Sequence, residues 1–369
     1  MADKPKSLAT KIALIWARRH VRKHPVMPFS PLAPDTQARI LVVNTTGIGD
    51  TIFATAPIAD LRESFPRAFI AAFVDRRRLE LVANNPRLDS VIAYEGKFKR
   101  LRATKNLLRG YDLAIIQHAN DPDVVPLVAS ALPNHLIGYE SHTYSMLYAV
   151  KLPPANREAG AHTLDARLAL TRAVGAGGTH WHPELYPSAS VSQLAAETLA
   201  HAGLKPGEPI ALNLGGSGAS KRWPLKRWSE LIALLKQEAM PVIIVGGPDE
   251  ALAARELLAP HRGSGDFGSP ARCLAGALPF MATAAMLKLC RAHVSGDTGL
   301  MHAGLALDVP TVAMFGPDDP KWTGPYPKQK RALALQSSSP SKQAIRRKAD
   351  GNAMLEICAG EVLAALKSV

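Results

Sequence analysis

Cysteine is scarce. Cys273, Cys290 and Cys358 are the only three in 369 residues, and they lie far apart. Scattered thiols of this kind do not frame a disulfide scaffold or a zinc cluster, and they suit a reducing, cytoplasmic setting. Aromatic residues are also few, at 6%. No base-reading motif accompanies them, which sets nucleic acid aside despite a net charge of +13. Long hydrophobic runs are missing: nothing approaches the roughly 20 apolar residues that cross a bilayer. The apolar patch at 12–17 is short, runs into Arg18 and Arg19, and lacks a small-residue cleavage site, so no signal peptide is expected. No Asp-x-Asp pair stands at the glycine turns described below, so no metal ligand is assigned.

What is present fits a large globular enzyme. Apolar residues make up 47% and charged residues 20%. The length exceeds one ordinary core and implies two domains. The basic excess fits an anionic lipid or phosphorylated glycolipid partner, and equally a merely solvated surface.

The most informative stretch is 294–316, Val-Ser-Gly-Asp-Thr-Gly-Leu-Met-His onward to Phe315-Gly316. It reads as a buried strand, a Gly-Asp-Thr-Gly turn, a helix and a second buried strand. Asp297 or Thr298 caps the helix, and Gly299 lets a ligand approach the backbone. The remaining free N–H groups and the positive end of the dipole make an anion site there.

Upstream, residues 1–33 form an arm. Seven Lys and Arg between 4 and 23 interleave with Leu8, Ile12, Ile15 and Trp16, which are expected to share one helical face. Such a helix suits an anionic membrane surface or a seat on the protein itself. Residues 38–44 are a buried strand, followed by Thr45-Thr46-Gly47-Ile48-Gly49-Asp50 and a helix over 51–65. Strand, glycine turn and helix open a doubly wound α/β domain, although the third glycine of a dinucleotide fingerprint is absent. Asp50 is a catalytic candidate or a simple helix cap. Further strands at 68–74, 90–94, 112–117 and 135–139, the last of the first half, alternate with helices and imply a largely parallel sheet. Asp50, His118 and Asn120 fall at its C-terminal strand ends, where such sheets bind ligands.

A Pro/Gly-rich break near 175–187 marks the linker, giving an arm at 1–33, a first domain at 34–180 and a second at 181–369. The second half repeats the pattern. A strand at 209–214 leads into a loop holding Ser217, Gly218 and Lys221, small residues and a lysine that suit a phosphate cradle. A strand at 240–245 ends in Gly-Gly-Pro-Asp249-Glu250, where an acid suits ribose hydroxyls or a helix cap. A closing amphipathic helix is expected over 354–367.

Two α/β halves flanking a cleft describe the GT-B architecture. The segments 40–66 with Gly-Ile-Gly-Asp, 210–228 with Ser-Lys-Arg-Trp-Pro, 242–250, and 296–326 with Asp-Thr-Gly-Leu-Met-His and Phe-Gly-Pro-Asp-Asp-Pro resemble bacterial heptosyltransferases of glycosyltransferase family 9. The resemblance implies inverting transfer of heptose from ADP-heptose to a lipopolysaccharide inner-core acceptor, at the inner face of the inner membrane. It implies Asp50 as general base beside Thr46, Gly47 and Gly49. It implies Lys221 with Ser217 and Gly218 on the donor phosphates, Asp297, Thr298, Gly299 and His302 at the donor turn, and Asp249 or Glu250 on the ribose. No cofactor is required, and Mg2+ enters only as a stimulant. The stretch after the donor motif lacks the several cysteines common in relatives, and the basic arm looks like an addition. Two other readings stay open: another GT-B enzyme with a different donor or a 2-epimerase, and a nucleotide-binding envelope-assembly protein without turnover.

Overall fold

The computed structural model describes residues 8–118, 120–154, 160–178, 180–216, 218, 221–259, 271–316, 318–337 and 353–369. The chain divides into two compact units, 1–184 and 185–369.

The first unit is built on six parallel strands: β1 (Arg39–Asn44), β2 (Phe69–Asp75), β3 (Ser90–Tyr94), β4 (Leu113–His118), β5 (His135–Tyr139) and β6 (Val150–Leu152). Their order is β3-β2-β1-β4-β5-β6. Runs such as Ile40-Leu41-Val42-Val43 are apolar without alternation because both faces of the strand are covered. The second unit repeats the plan with β7 (Ile210–Asn213), β8 (Val242–Val245), β9 (Ala271–Cys273), β10 (Ala292–Gly296), β11 (Thr311–Phe315) and β12 (Ala332–Gln336). Its order, β12-β11-β10-β7-β8-β9, is the same topology. In both sheets the strand order reverses beside the first strand, between β1 and β4 and between β7 and β10. That reversal is where doubly wound sheets open a ligand crevice.

Three strands were not expected from the sequence. β5 is not the last of its sheet, since β6 follows, and β9 and β12 extend the second. All three lie at sheet edges, and β6 and β9 have only three residues each. They are too short to carry a hydrophobic period and exist because a neighbouring strand offers them a hydrogen-bonding edge. The helix after β1 runs Ile48–Ser64 and so begins three residues earlier than expected. Asp50 therefore sits inside its first turn. The expected closing helix is a short turn, Ala353–Glu356, and a helix, Ala359–Leu366.

The arm is a helix, Leu8–Lys23, seated on the first unit. Of the face anticipated from the sequence, Trp16 packs inward while Ile12 and Ile15 do not. Ala17 is fully buried, and Trp16 and Val21 pack against the core cluster that includes Phe73, Tyr94 and Leu147. His20 stacks on Trp16 with ring centroids 5.0 Å apart. Ile12 and Ile15 are left exposed. The helix carries two apolar stripes, and small Ala17 allows the closer approach, so its side is the one that docks. Among the described residues no helix is long and apolar enough to cross a membrane.

Candidate active site

At the first unit's switch point, β1 ends in Asn44 and β4 ends in His118. Gly47, in extended conformation, caps the helix Ile48–Ser64, and its carbonyl accepts bonds from the N–H and the hydroxyl of Thr51. Asp50 projects from this turn, where the dipole favours negative charge. Arg167 Nη2 donates to Asp50 Oδ1 at 2.7 Å. His118 Nδ1 lies 3.3 Å from the same oxygen and 3.1 Å from the Thr46 hydroxyl. Arg167 Nη1 donates to Asn44 Oδ1 at 3.0 Å, and Asn44 Nδ2 donates to the Thr51 hydroxyl. Burial pushes the Asp50 carboxyl upward. The hydrogen bond from His118 and the charge of Arg167 together outweigh it and hold the carboxyl well below the ordinary carboxylate range. Asp50 is thus an ionised, half-buried carboxylate, held by side chains rather than acting as the helix cap. Burial lowers the Arg167 guanidinium from its usual value, opposed by Asp50. Gly49 follows Ile48 in the first helical turn and contributes backbone only.

Arg167 went unnoticed in the sequence. It lies on the helix Thr163–Ala173 with Leu164, Leu168 and Thr171, all buried at helical spacing. A lone arginine on an apolar stripe was the available signal, since a guanidinium that deep must face a partner.

The second unit presents its candidate residues at its own switch point. Thr298 caps the helix Gly299–Ala306, its hydroxyl accepting from Met301 N–H. The N–H groups of Gly299 and Leu300 have no use within the helix. Asn213, the last residue of β7, ties the site together. Its Oδ1 accepts from Thr298 Oγ1 at 2.9 Å and from Ser295 Oγ at 3.1 Å, and its Nδ2 donates to the Val245 carbonyl. Lys221 Nζ donates to Asp297 Oδ2 at 2.6 Å and also pairs with Asp318 Oδ2. Burial lowers the Lys221 pKa, but the two carboxylates more than offset it and the ammonium is held above its usual value. His302 is buried, with Nε2 3.8 Å from Asp297 Oδ1. Asp318 belongs to the quoted Phe-Gly-Pro-Asp-Asp-Pro segment, yet nothing in its spacing singled it out.

Glu250, and not its neighbour Asp249, reaches the strand ends. A Cβ added at Gly215 or Gly246 would come within 2.1 Å of a Glu250 carboxylate oxygen, so the two glycines make the room that the carboxylate occupies. Gly247 N–H donates to Glu250 Oε2 at 2.5 Å. Burial, the largest influence, raises the Glu250 carboxyl above its usual value. Asp249 is exposed. Gly218 accepts from Lys221 N–H through its carbonyl and has open space where a side chain would be. Ser217 lies outside the described residues.

Two doubly wound units, each with polar side chains converging on its own switch point, are the building plan of GT-B glycosyltransferases. A solved structure of a family 9 glycosyl transferase from Veillonella parvula superposes with a TM-score of 0.81 at 19% identity, covering 92% of this chain and 98% of that one. The Escherichia coli ADP-heptose LPS heptosyltransferase II gives a TM-score of 0.69 at 24% identity, over 89% and 97%. In sequence, lipopolysaccharide heptosyltransferase 2 of Salmonella typhimurium is 26% identical over 313 residues, 80% of this chain and 88% of the relative. The model of glycosyltransferase family 9, the heptosyltransferases, matches residues 100–352. The chain belongs to that family and is a glycosyltransferase.

Proposed function

We propose that the protein transfers heptose from ADP-heptose to a lipopolysaccharide inner-core acceptor with inversion at the anomeric carbon. An acceptor hydroxyl attacks that carbon, and ADP departs from the opposite face. Asp50 receives the hydroxyl proton. A carboxylate of such low basicity suits the task, because the hydroxyl becomes strongly acidic only as its bond to the sugar forms. Negative charge grows on the departing diphosphate. Lys221 and the N–H groups of Gly299 and Leu300 offset it, the kind of electrostatic help that contributes most to catalysis. Asp297 and Asp318 orient the ammonium, His302 supports Asp297, and Glu250 receives the ribose hydroxyls. No cofactor takes part in this scheme. The enzyme works in the cytoplasm at the inner face of the inner membrane, with residues 4–23 toward the lipid.

The observation that carries this reading is the Asp50 carboxylate at a switch point, held by buried Arg167 at 2.7 Å and by His118 at 3.3 Å. The test is incubation with ADP-heptose and a panel of truncated inner-core glycolipids, read by mass. The expected product gains one heptose. Asp50→Ala is expected to bind ADP nearly as well as the parent and to turn over about 10²–10⁴-fold more slowly. Unchanged turnover would remove Asp50 from proton transfer. A thermal-shift panel in which UDP or GDP stabilises more than ADP would replace the donor.

A further inference from the structure

An apolar groove of about 630 Å³ opens on the first unit, away from Asp50, between the helix Leu8–Lys23, the segment 97–105 and the helix Val124–Ser130. Ile12, Trp16, Phe98, Leu101, Leu127 and Tyr144 are among its walls. Ile12 is 60% exposed and Phe98 61%, and unlike the single exposed leucines elsewhere they stand on the walls of one groove. Phe98 is kept outward by its backbone. Its φ is +58° and that of Arg100 is +47°, a region that residues with side chains rarely enter. The segment is pinned there by Asp123, whose Oδ2 accepts from Phe98 N–H at 2.8 Å while its Oδ1 accepts from the Tyr94 hydroxyl at 2.8 Å.

Lys97, Arg102 and Lys105 line the groove, and the two segments that carry its walls are strongly basic. The helix Leu8–Lys23 contributes five Lys and Arg with no acid. Residues 95–109 contribute six, Lys97, Lys99, Arg100, Arg102, Lys105 and Arg109, against Glu95 alone. These two short segments hold a basic surplus nearly as large as the whole chain's +13. The carboxylate of Asp123 in the wall is buried and already hydrogen-bonded. An apolar slot with a positive rim is complementary to an acyl chain below an anionic headgroup. A nucleic acid would want the charge without the slot, and a second copy of this basic chain would bring like charge to the rim.

We infer that this groove takes an acyl chain of an anionic membrane phospholipid, with the flanking lysines and arginines on the headgroups. The inference rests on the reading of residues 4–23 as membrane-facing and deepens it: the helix does not act alone but forms a lipid site together with residues 97–105.

The test is flotation of the full chain with vesicles of phosphatidylcholine alone or mixed with phosphatidylglycerol. Binding to the mixed vesicles only, weakened by salt, is expected. Phe98→Ser with Leu101→Ser is expected to lower that binding by about tenfold, with an unchanged melting temperature because both side chains are exposed. Phospholipids brominated on the acyl chain should quench tryptophan fluorescence, and Trp16→Phe should remove most of that quenching. No binding of the parent to anionic vesicles would overturn the membrane reading and the groove with it. Parental binding by the double variant, with Trp16 unquenched, would overturn the groove alone. So would loss of heptose transfer to lipid-linked acceptor without loss of vesicle binding, which would assign the groove to the acceptor. A dimer that the double variant dissociates, in a chain indifferent to vesicles, would assign it to a second copy. Transfer to a delipidated acceptor is expected to be the same in parent and double variant.

Discussion

The imidazole of His118 and a guanidinium with almost no contact with water together lower the Asp50 carboxyl. Arg167 is 3% exposed and reaches Asp50 and Asn44 at once, so it fixes both the charge and the direction of the acid. With Arg167 in place, Asp50 stays ionised throughout the range in which the enzyme is assayed, and no acid limb in kcat/KM belongs to it. Arg167→Gln removes one of the two supports and leaves His118, with Thr46, against burial, so the carboxyl rises and any acid limb that belongs to Asp50 moves toward the measurable pH range. The stability the pair gives follows the same sign. It is present above the ordinary carboxylate pKa and lost as pH falls below it, so the variant loses stability at neutral pH and not in strong acid. A pH–rate profile and thermal melts at two pH values check both; Arg167→Lys should restore the profile in part. A profile identical to the parent's would show that Arg167 does not position Asp50. At this scale the sequence singled out Asp50 and Lys221 as candidates, because each stands beside a glycine turn at a strand end, although a helix cap or a solvated loop would look the same. It did not disclose Arg167 or Asp318, whose meaning depends on residues about 100 to 120 positions away in the chain that folding brings alongside.

At the level of elements, each sheet uses the asparagine at the end of its first strand as a clamp. Asn44 joins β1 to Arg167 and to the following helix. Asn213 joins β7 to the Val245 carbonyl of β8, to Ser295 of β10 and to the helix cap Thr298. Both asparagines are buried, so truncation leaves hydroxyls or a guanidinium without their acceptor. Asn213→Ala should destabilise by roughly 2–4 kcal/mol, more than the ~1 kcal/mol of an isolated cap such as Thr298→Ala. It should also weaken ADP, since the turn that presents Gly299 is no longer held. Asn44→Ala is expected to lower turnover and leave ADP affinity alone. Denaturant melts and ADP titration separate the two, and equal effects on ADP would show that the clamps are not specific to their own sites. The buried central strands were readable from their unbroken apolar runs. The edge strands β6, β9 and β12 were not, and the docking face of the helix Leu8–Lys23 was misjudged in part. Those features are decided by a neighbour's free edge or by how closely a backbone can approach, neither of which leaves a period in the chain.

For the whole molecule, the proposed function divides the work between the two repeats of one topology. The second unit has its own sheet and its own core, in which Trp228, Leu231, Val294 and Met314 are almost wholly buried around the central strands. It spans 185–369, a size at which a doubly wound domain folds by itself. Every residue assigned to the donor in this account, Lys221, Glu250, Asp297, Thr298, Gly299, His302 and Asp318, lies within it. Expressed alone, 185–369 should therefore unfold in one cooperative step and be stabilised by ADP, by about 2.7 kcal/mol when ADP is a hundredfold above its Kd. Lys221→Ala in the same fragment should remove most of that gain, because the ammonium that meets the diphosphate is gone while the fold is kept. The fragment 1–184 should fold without any response to ADP, since its polar cluster is arranged around one ionised carboxylate that would repel a diphosphate. A folded 185–369 that ignores ADP at concentrations that stabilise the full chain would mean that the grip on the donor draws on the first unit, and the assignment of donor and acceptor to separate units would have to be given up.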